Sequence, residues 1–203
     1  RAGISSKLPH ALSISLGTPD LGLEEMAYAL ATFPAQGQLV APLSILKVVD
    51  ADGKTLEDHT SPPRRKDVLS PETAYIVTDL MKGVVEVGTA KRARELGRPV
   101  AGKTGTSTNY RDAWFFGFTP ELLCGVWVGR DDFKPIGHDA TGGQVALPIW
   151  LAYMKEALRG VPVRDFHPPA GVVFVRADPE KGVPALPSTA NSRLMPFRRG
   201  TLP

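Results

Sequence analysis

Val100-Ala101-Gly102-Lys103-Thr104-Gly105-Thr106, Ala113-Trp114-Phe115-Phe116-Gly117-Phe118 and Leu122-Leu123-Cys124-Gly125-Val126-Trp127-Val128 are three short runs in the middle of the chain. They are rich in Val, Phe and Trp, residues that pack well on a pleated surface, and turn residues (Thr108-Asn109, Thr119-Pro120) separate them. That spacing predicts an antiparallel three-stranded meander. Upstream, Ser70-Pro71-Glu72 has the cap and first-turn proline of a helix start. The helix runs through Tyr75, Ile76, Asp79, Leu80 and Val84 and stops near Gly88. Downstream, Ile149, Trp150, Tyr153, Met154 and Ala157 form the apolar face of a helix over Leu147 to Leu158.

Farther out the pattern weakens. Leu23, Met26, Ala27, Leu30 and Ala31 predict a helix that ends at the Pro34–Gly37 breaker. Leu39 to Asp50 reads as extended, and Ala51-Asp52-Gly53-Lys54 as a hairpin turn. His59 to Asp67 is a polar, solvated loop. After Gly160 the chain becomes Pro-rich, with one short strand at Val172 to Val175. The division is therefore residues 1–160 as the folded unit and 161–203 as a tail packed along it.

Of 203 residues, 20 are Gly and 19 are Pro. That is about one in five against a usual background of roughly 12%, so turns are more frequent than a helical bundle needs. The net charge is +3 with no Lys/Arg block, which argues against nucleic acid. A single cysteine, Cys124, excludes an internal disulfide framework and a Cys-based zinc site. No apolar run approaches the roughly 20 residues of a membrane helix. The first residue is Arg1 and no signal-peptide pattern follows, so the sequence is expected to be an excerpt from a longer protein.

Gly102-Lys103-Thr104-Gly105-Thr106 carries the chemistry and admits three readings. Residues 97–104 spell the G-x-x-x-x-G-K-[ST] of a phosphate loop in a nucleotide-binding protein. Such a loop must leave a buried strand and enter a helix, and the neighbouring residues do neither. The second reading is a Lys-Thr-Gly strand edging a serine acyl-transfer site. There Lys103 and Thr104 hold a peptide carboxylate, Gly105 lets the substrate backbone approach, and the Thr106 amide donates to the oxyanion. The third is an ordinary exposed strand, which the tripeptide alone favours.

The surroundings shift that balance. Lys103-Thr104-Gly105-Thr106, Asn109 and Arg111-Asp112-Ala113-Trp114-Phe115 resemble the C-terminal half of class A penicillin-binding proteins, the bifunctional peptidoglycan synthases. Leu16-Gly17-Thr18, Gly88-Thr89-Ala90, Gly125-Val126-Trp127-Val128-Gly129, Gly142-Gly143 and Pro148-Ile149-Trp150 continue the likeness along nearly the whole chain. The resemblance implies an α+β fold, an antiparallel sheet packed by helices, incomplete in this chain. It also implies D,D-transpeptidation of stem peptides ending in D-Ala-D-Ala, acylation by β-lactams, no cofactor, and a periplasmic, membrane-anchored enzyme with a glycosyltransferase domain. The alternatives are a D,D-carboxypeptidase or β-lactamase-like hydrolase, and a binding remnant without catalysis.

That family needs Ser-x-x-Lys on a helix and Ser-x-Asn on the facing wall, both before Lys-Thr-Gly. Ser44-Ile45-Leu46-Lys47 spells the first, but residues three apart on an extended stretch point to opposite faces. Ser107-Thr108-Asn109 spells the second, but it follows the Lys-Thr-Gly strand directly and reads as its turn. The nucleophile is therefore expected in the N-terminal remainder of the same protein or in a separate chain. His10, His59, His138 and His167 are scattered, and no metal site is expected. Arg111-Asp112 reads as an ion pair, Asp131-Asp132 as a solvated turn, and Trp114, Trp127 and Trp150 as core anchors.

Overall fold

The computed structural model describes residues 2–190 and 192–201. The first helix, α1 (Leu23–Leu30), forms over the predicted periodic stretch. β1 (Gln38–Val40) follows the breaker, and β2 (Lys47–Val49) pairs with β3 (Thr55–Asp58) across the expected hairpin. Asp50 closes that turn, its carboxylate accepting from the Asp52 and Lys54 amides at 3.1 and 2.8 Å. Residues 41–46 between β1 and β2 are irregular, so 39–50 is not one extended segment. The polar loop is shorter than expected too. Its end forms β4 (Arg65–Asp67), which pairs antiparallel with β1. All three β4 residues are exposed, so no apolar alternation announces the strand.

Helix α2 (Pro71–Glu86) starts where the sequence places its cap, with Ser70 Oγ accepting from the Thr73 amide at 3.2 Å. Ala74, Thr78, Met81 and Val85, spaced three and four apart, are its buried stripe. A 3₁₀ turn over Lys91–Leu96 leads through Gly97, at φ 74°, into the meander. β5 (Ala101–Thr106), β6 (Asp112–Phe118) and β7 (Leu123–Gly129) form one antiparallel sheet in that order. The expected meander is therefore present, with β5 at its edge.

The sheet is covered on both faces. On one, Phe115 packs with α3 (Leu147–Ala157), whose Trp150 is fully buried. The two rings meet edge to face at 5.1 Å, and Trp150 Nε1 donates to the Gly117 carbonyl at 3.1 Å. A Cβ at Gly117 would stand 2.7 Å from the Trp150 ring, so only glycine lets the indole lie this close. On the other face Ala101 and Phe118 pack with Met81 of α2. The buried stripe of α3 is Leu147, Trp150, Leu151 and Met154, whereas Ile149 and Tyr153 are 51% and 54% exposed. The expected face was thus rotated on the helix, and Ala157 is exposed as well.

The Pro-rich stretch holds more sheet than a single short strand. β8 (Val172–Asp178) lies between β9 (Val183–Pro184) and β10 (Arg193–Arg198) in a second antiparallel sheet. β10 runs against α2, and Phe174 meets Tyr75 edge on at 6.2 Å. Among the described residues no helix is long and apolar enough to cross a membrane.

Candidate active site

One hydrogen bond sets the polarity of β5. Ser107 N–H donates to Asp112 O at 3.0 Å, in register with the ladder that pairs Gly105 with Trp114 and Lys103 with Phe116. Bonded and non-bonded pairs alternate in an antiparallel ladder. Lys103 and Gly105 therefore turn their backbone groups toward β6, whereas Thr104 and Thr106 turn theirs toward the side that no strand of the described residues occupies. The side chains alternate as well. Lys103 lies on the face of Trp114 and Phe116, while Thr104 and Thr106 lie on the face covered by α3.

Lys103 is exposed, and its ammonium donates to the Thr104 carbonyl at 2.6 Å. Thr104 Oγ1 lies 2.7 Å from Thr89 Oγ1, just past the end of α2. Thr106 Oγ1 accepts from the Gly142 amide at 3.1 Å. Gly142 opens a π-helical turn, Gly142–Ala146, that lies directly on the sheet. A Cβ on Gly105 would come within 3.0 Å of Trp114 Cβ, so glycine keeps this part of the strand low. One edge thus presents an ammonium, a hydroxyl and outward amides in sequence. That set suits an extended peptide that ends in a carboxylate.

The model of the penicillin binding protein transpeptidase domain matches residues 11–150. The chain belongs to the penicillin-binding transpeptidase family. Penicillin-binding protein 1A of Aquifex aeolicus is 38% identical over 203 residues, which is all of this chain and 27% of that protein. The crystal structure of Haemophilus influenzae penicillin-binding protein 1A superposes with a TM-score of 0.85 at 26% identity. That match covers 94% of this chain and 34% of the other. PonA1 from Mycobacterium tuberculosis, solved in complex with penicillin V, matches at a TM-score of 0.70 and 29% identity, over 82% of this chain and 50% of that one. The chain spans about a quarter of the length of the curated relatives it matches. The α+β fold is that of penicillin-binding transpeptidases, and the chain corresponds to a class A transpeptidase fragment.

Within this transpeptidase fragment the decoy motifs fall apart. Residues 97–104 enter strand β5 rather than a helix, so there is no phosphate loop. Ser44 sits in the irregular stretch and Lys47 opens β2, with no helical turn to bring them together. Ser107 Oγ accepts from the Asp112 amide at 2.8 Å and Asn109 takes φ 62°, so Ser107-Thr108-Asn109 closes the β5–β6 turn. Asp132 binds Arg130 and Lys134 in an exposed turn, and the Arg130 hydrogen bonds hold its carboxyl well below the usual carboxylate range. Burial pushes the Cys124 thiol up, which disfavours the thiolate that a cysteine nucleophile needs. Among the described residues no three His, Cys, Asp or Glu side chains gather as a metal site would require.

Two expectations need correction. Asp112 pairs with Trp127, whose Nε1 donates to its carboxylate at 2.9 Å, and among the described residues it forms no ion pair with Arg111. Only Trp150 is a fully buried anchor. Trp127 is 41% exposed and Trp114 half-buried, and with Phe116 they form an aromatic row beside Lys103 and Gly105. The sequence marks Gly88-Thr89-Ala90 only as part of the family likeness and gives Thr89 no role, since nothing in that segment signals a partner 15 residues away.

Proposed function

We propose that this chain supplies the substrate-binding wall of a serine D,D-transpeptidase that cross-links peptidoglycan stem peptides. The supporting observation is the β5 edge, with Lys103 exposed and Thr104 and Thr106 turned away from β6. Lys103 and Thr104 bind the terminal carboxylate of the donor, Gly105 gives clearance, and the Thr106 amide is one oxyanion donor. The nucleophilic serine comes from a segment outside these 203 residues. Its Oγ bonds to the carbonyl carbon of the D-Ala-D-Ala peptide link, and the terminal D-Ala leaves as the amine, taking up a proton. The amine of a neighbouring strand then attacks the ester, and the serine regains its proton as the cross-link forms. A β-lactam acylates the same serine through its strained amide.

In this reading residues 1–160 are the C-terminal portion of the transpeptidase domain, and 161–203 are the tail folded onto it. The intact protein works on the periplasmic face of the bacterial inner membrane, anchored by a segment outside this chain. In the intact protein, Lys103→Ala sharply lowers labelling by fluorescent penicillin. Undiminished labelling overturns the assignment. A carboxypeptidase or β-lactamase-like hydrolase would use water in place of the acceptor amine, and product analysis with and without that amine separates the two.

A further inference from the structure

Thr89 sits on a rigid support. The Gly88 amide donates to the Gly83 carbonyl at 3.2 Å and the Ala90 amide to the Val84 carbonyl at 3.1 Å, so both neighbours are tied to the last turn of α2. Ala90 is fully buried, and a Cβ on Gly143 would stand 2.9 Å from the Thr89 carbonyl, which closes the other side. Thr89 itself is exposed, and its hydroxyl lies 2.7 Å from that of Thr104, a short and well-formed contact.

Two hydroxyls in contact share one proton between them, and either can be the donor. A carboxylate removes that ambiguity, because it only accepts. If Thr104 donates its proton to the anion, its lone pair must take the proton of Thr89. We propose that Thr89 is a positioning residue that donates to Thr104, so that the Thr104 hydroxyl is held with its proton directed at the substrate carboxylate. The scaffold repeats the device two residues on. Thr106 Oγ1 accepts from the Gly142 amide at 3.1 Å, which likewise leaves its own proton free.

The inference rests on the proposed role of Thr104, and the test separates the two. Second-order acylation rates are measured in the intact protein for a penicillin and for its methyl ester, which lacks the anion. Thr89→Val keeps the shape and loses the donor. It is expected to slow the acid roughly two- to tenfold, the range for one lost neutral hydrogen bond, and to leave the ester unchanged. Thr89→Ser is expected to restore the acid rate, and Thr89→Val is expected to add nothing in a Thr104→Val background. Equal slowing of acid and ester means a merely structural role and overturns the inference, as does an unchanged acid rate when Thr104→Val and Lys103→Ala are slow. If those two variants leave the acid rate unchanged, the reading of the strand itself fails and the inference falls with it. Should Thr89→Val not fold, full activity of a folded Thr89→Ala variant overturns the inference in its place.

Discussion

Gly142→Ala links the stability of the sheet to the site. A Cβ at Gly142 would stand 2.2 Å from the Trp114 carbonyl oxygen and 2.6 Å from that of Gly105. Both oxygens belong to one bonded pair of the β5–β6 ladder, so neither can rotate aside. To reach 3.0 Å the π-helical turn must lift by about 0.8 Å, which strains the Gly142 bond to Thr106 Oγ1. Overpacking against fixed backbone costs about 3 kcal/mol, the upper end of its usual range. For a unit of this size that lowers the melting temperature by about 6–12 °C. Gly137→Ala is the control, since a Cβ there meets nothing within 4 Å. The assay is thermal melting of the transpeptidase transition in the intact protein, with the penicillin acylation rate measured below the transition. Gly142→Ala is expected to lose both stability and acylation rate. A variant that melts within about 2 °C of wild type and acylates normally refutes the claim that this turn is seated on rigid sheet.

Other outcomes follow from the core and the surface charges. Trp150→Phe removes the donor to the Gly117 carbonyl and leaves space beside Phe115, and is expected to cost about 2–3 kcal/mol in denaturant unfolding. A cost below about 1 kcal/mol contradicts that packing. Glu25 accepts hydrogen bonds from the side chain and amide of Ser6 and from Ser5, which lower its carboxyl from 4.5 to about 2. A lowered acid contributes its stabilisation above its unfolded value and loses it as pH falls through the folded value. The N-terminal segment is therefore expected to stay docked at pH 4 and release toward pH 2. A carboxyl NMR titration midpoint near 4.5 contradicts the clamp. Asp79, raised chiefly by burial, is less comfortable ionised in the folded protein than unfolded. Asp79→Asn is expected to raise the melting temperature at pH 7, and a drop contradicts it.

Local chemistry was legible and distant pairing was not. The meander declared itself through three apolar runs and two turns, and α2 through Ser70-Pro71-Glu72, because caps and turns act within a few residues. β4 escaped notice because Arg65, Lys66 and Asp67 are exposed and find β1 some 27 residues upstream. β10 was hidden by Pro196, which pairs opposite Phe174 although proline has no amide to donate. Helix α3 carries two overlapping apolar stripes, and only the position of Phe115 selects the one with Leu147, Leu151 and Met154. In the candidate site, Lys103-Thr104-Gly105 was readable as a motif. The Thr89–Thr104 pair and the Asp112–Trp127 bond were not, since each joins segments that only the folded sheet brings together.

The central claim is that this chain carries the carboxylate-binding strand while the nucleophile lies elsewhere. It is tested most directly by treating the intact protein with penicillin and locating the penicilloyl adduct by peptide mass spectrometry. The adduct is expected on a serine outside residues 1–203, within a Ser-x-x-Lys sequence. An adduct on Ser44, or on any other serine of this chain, contradicts the account.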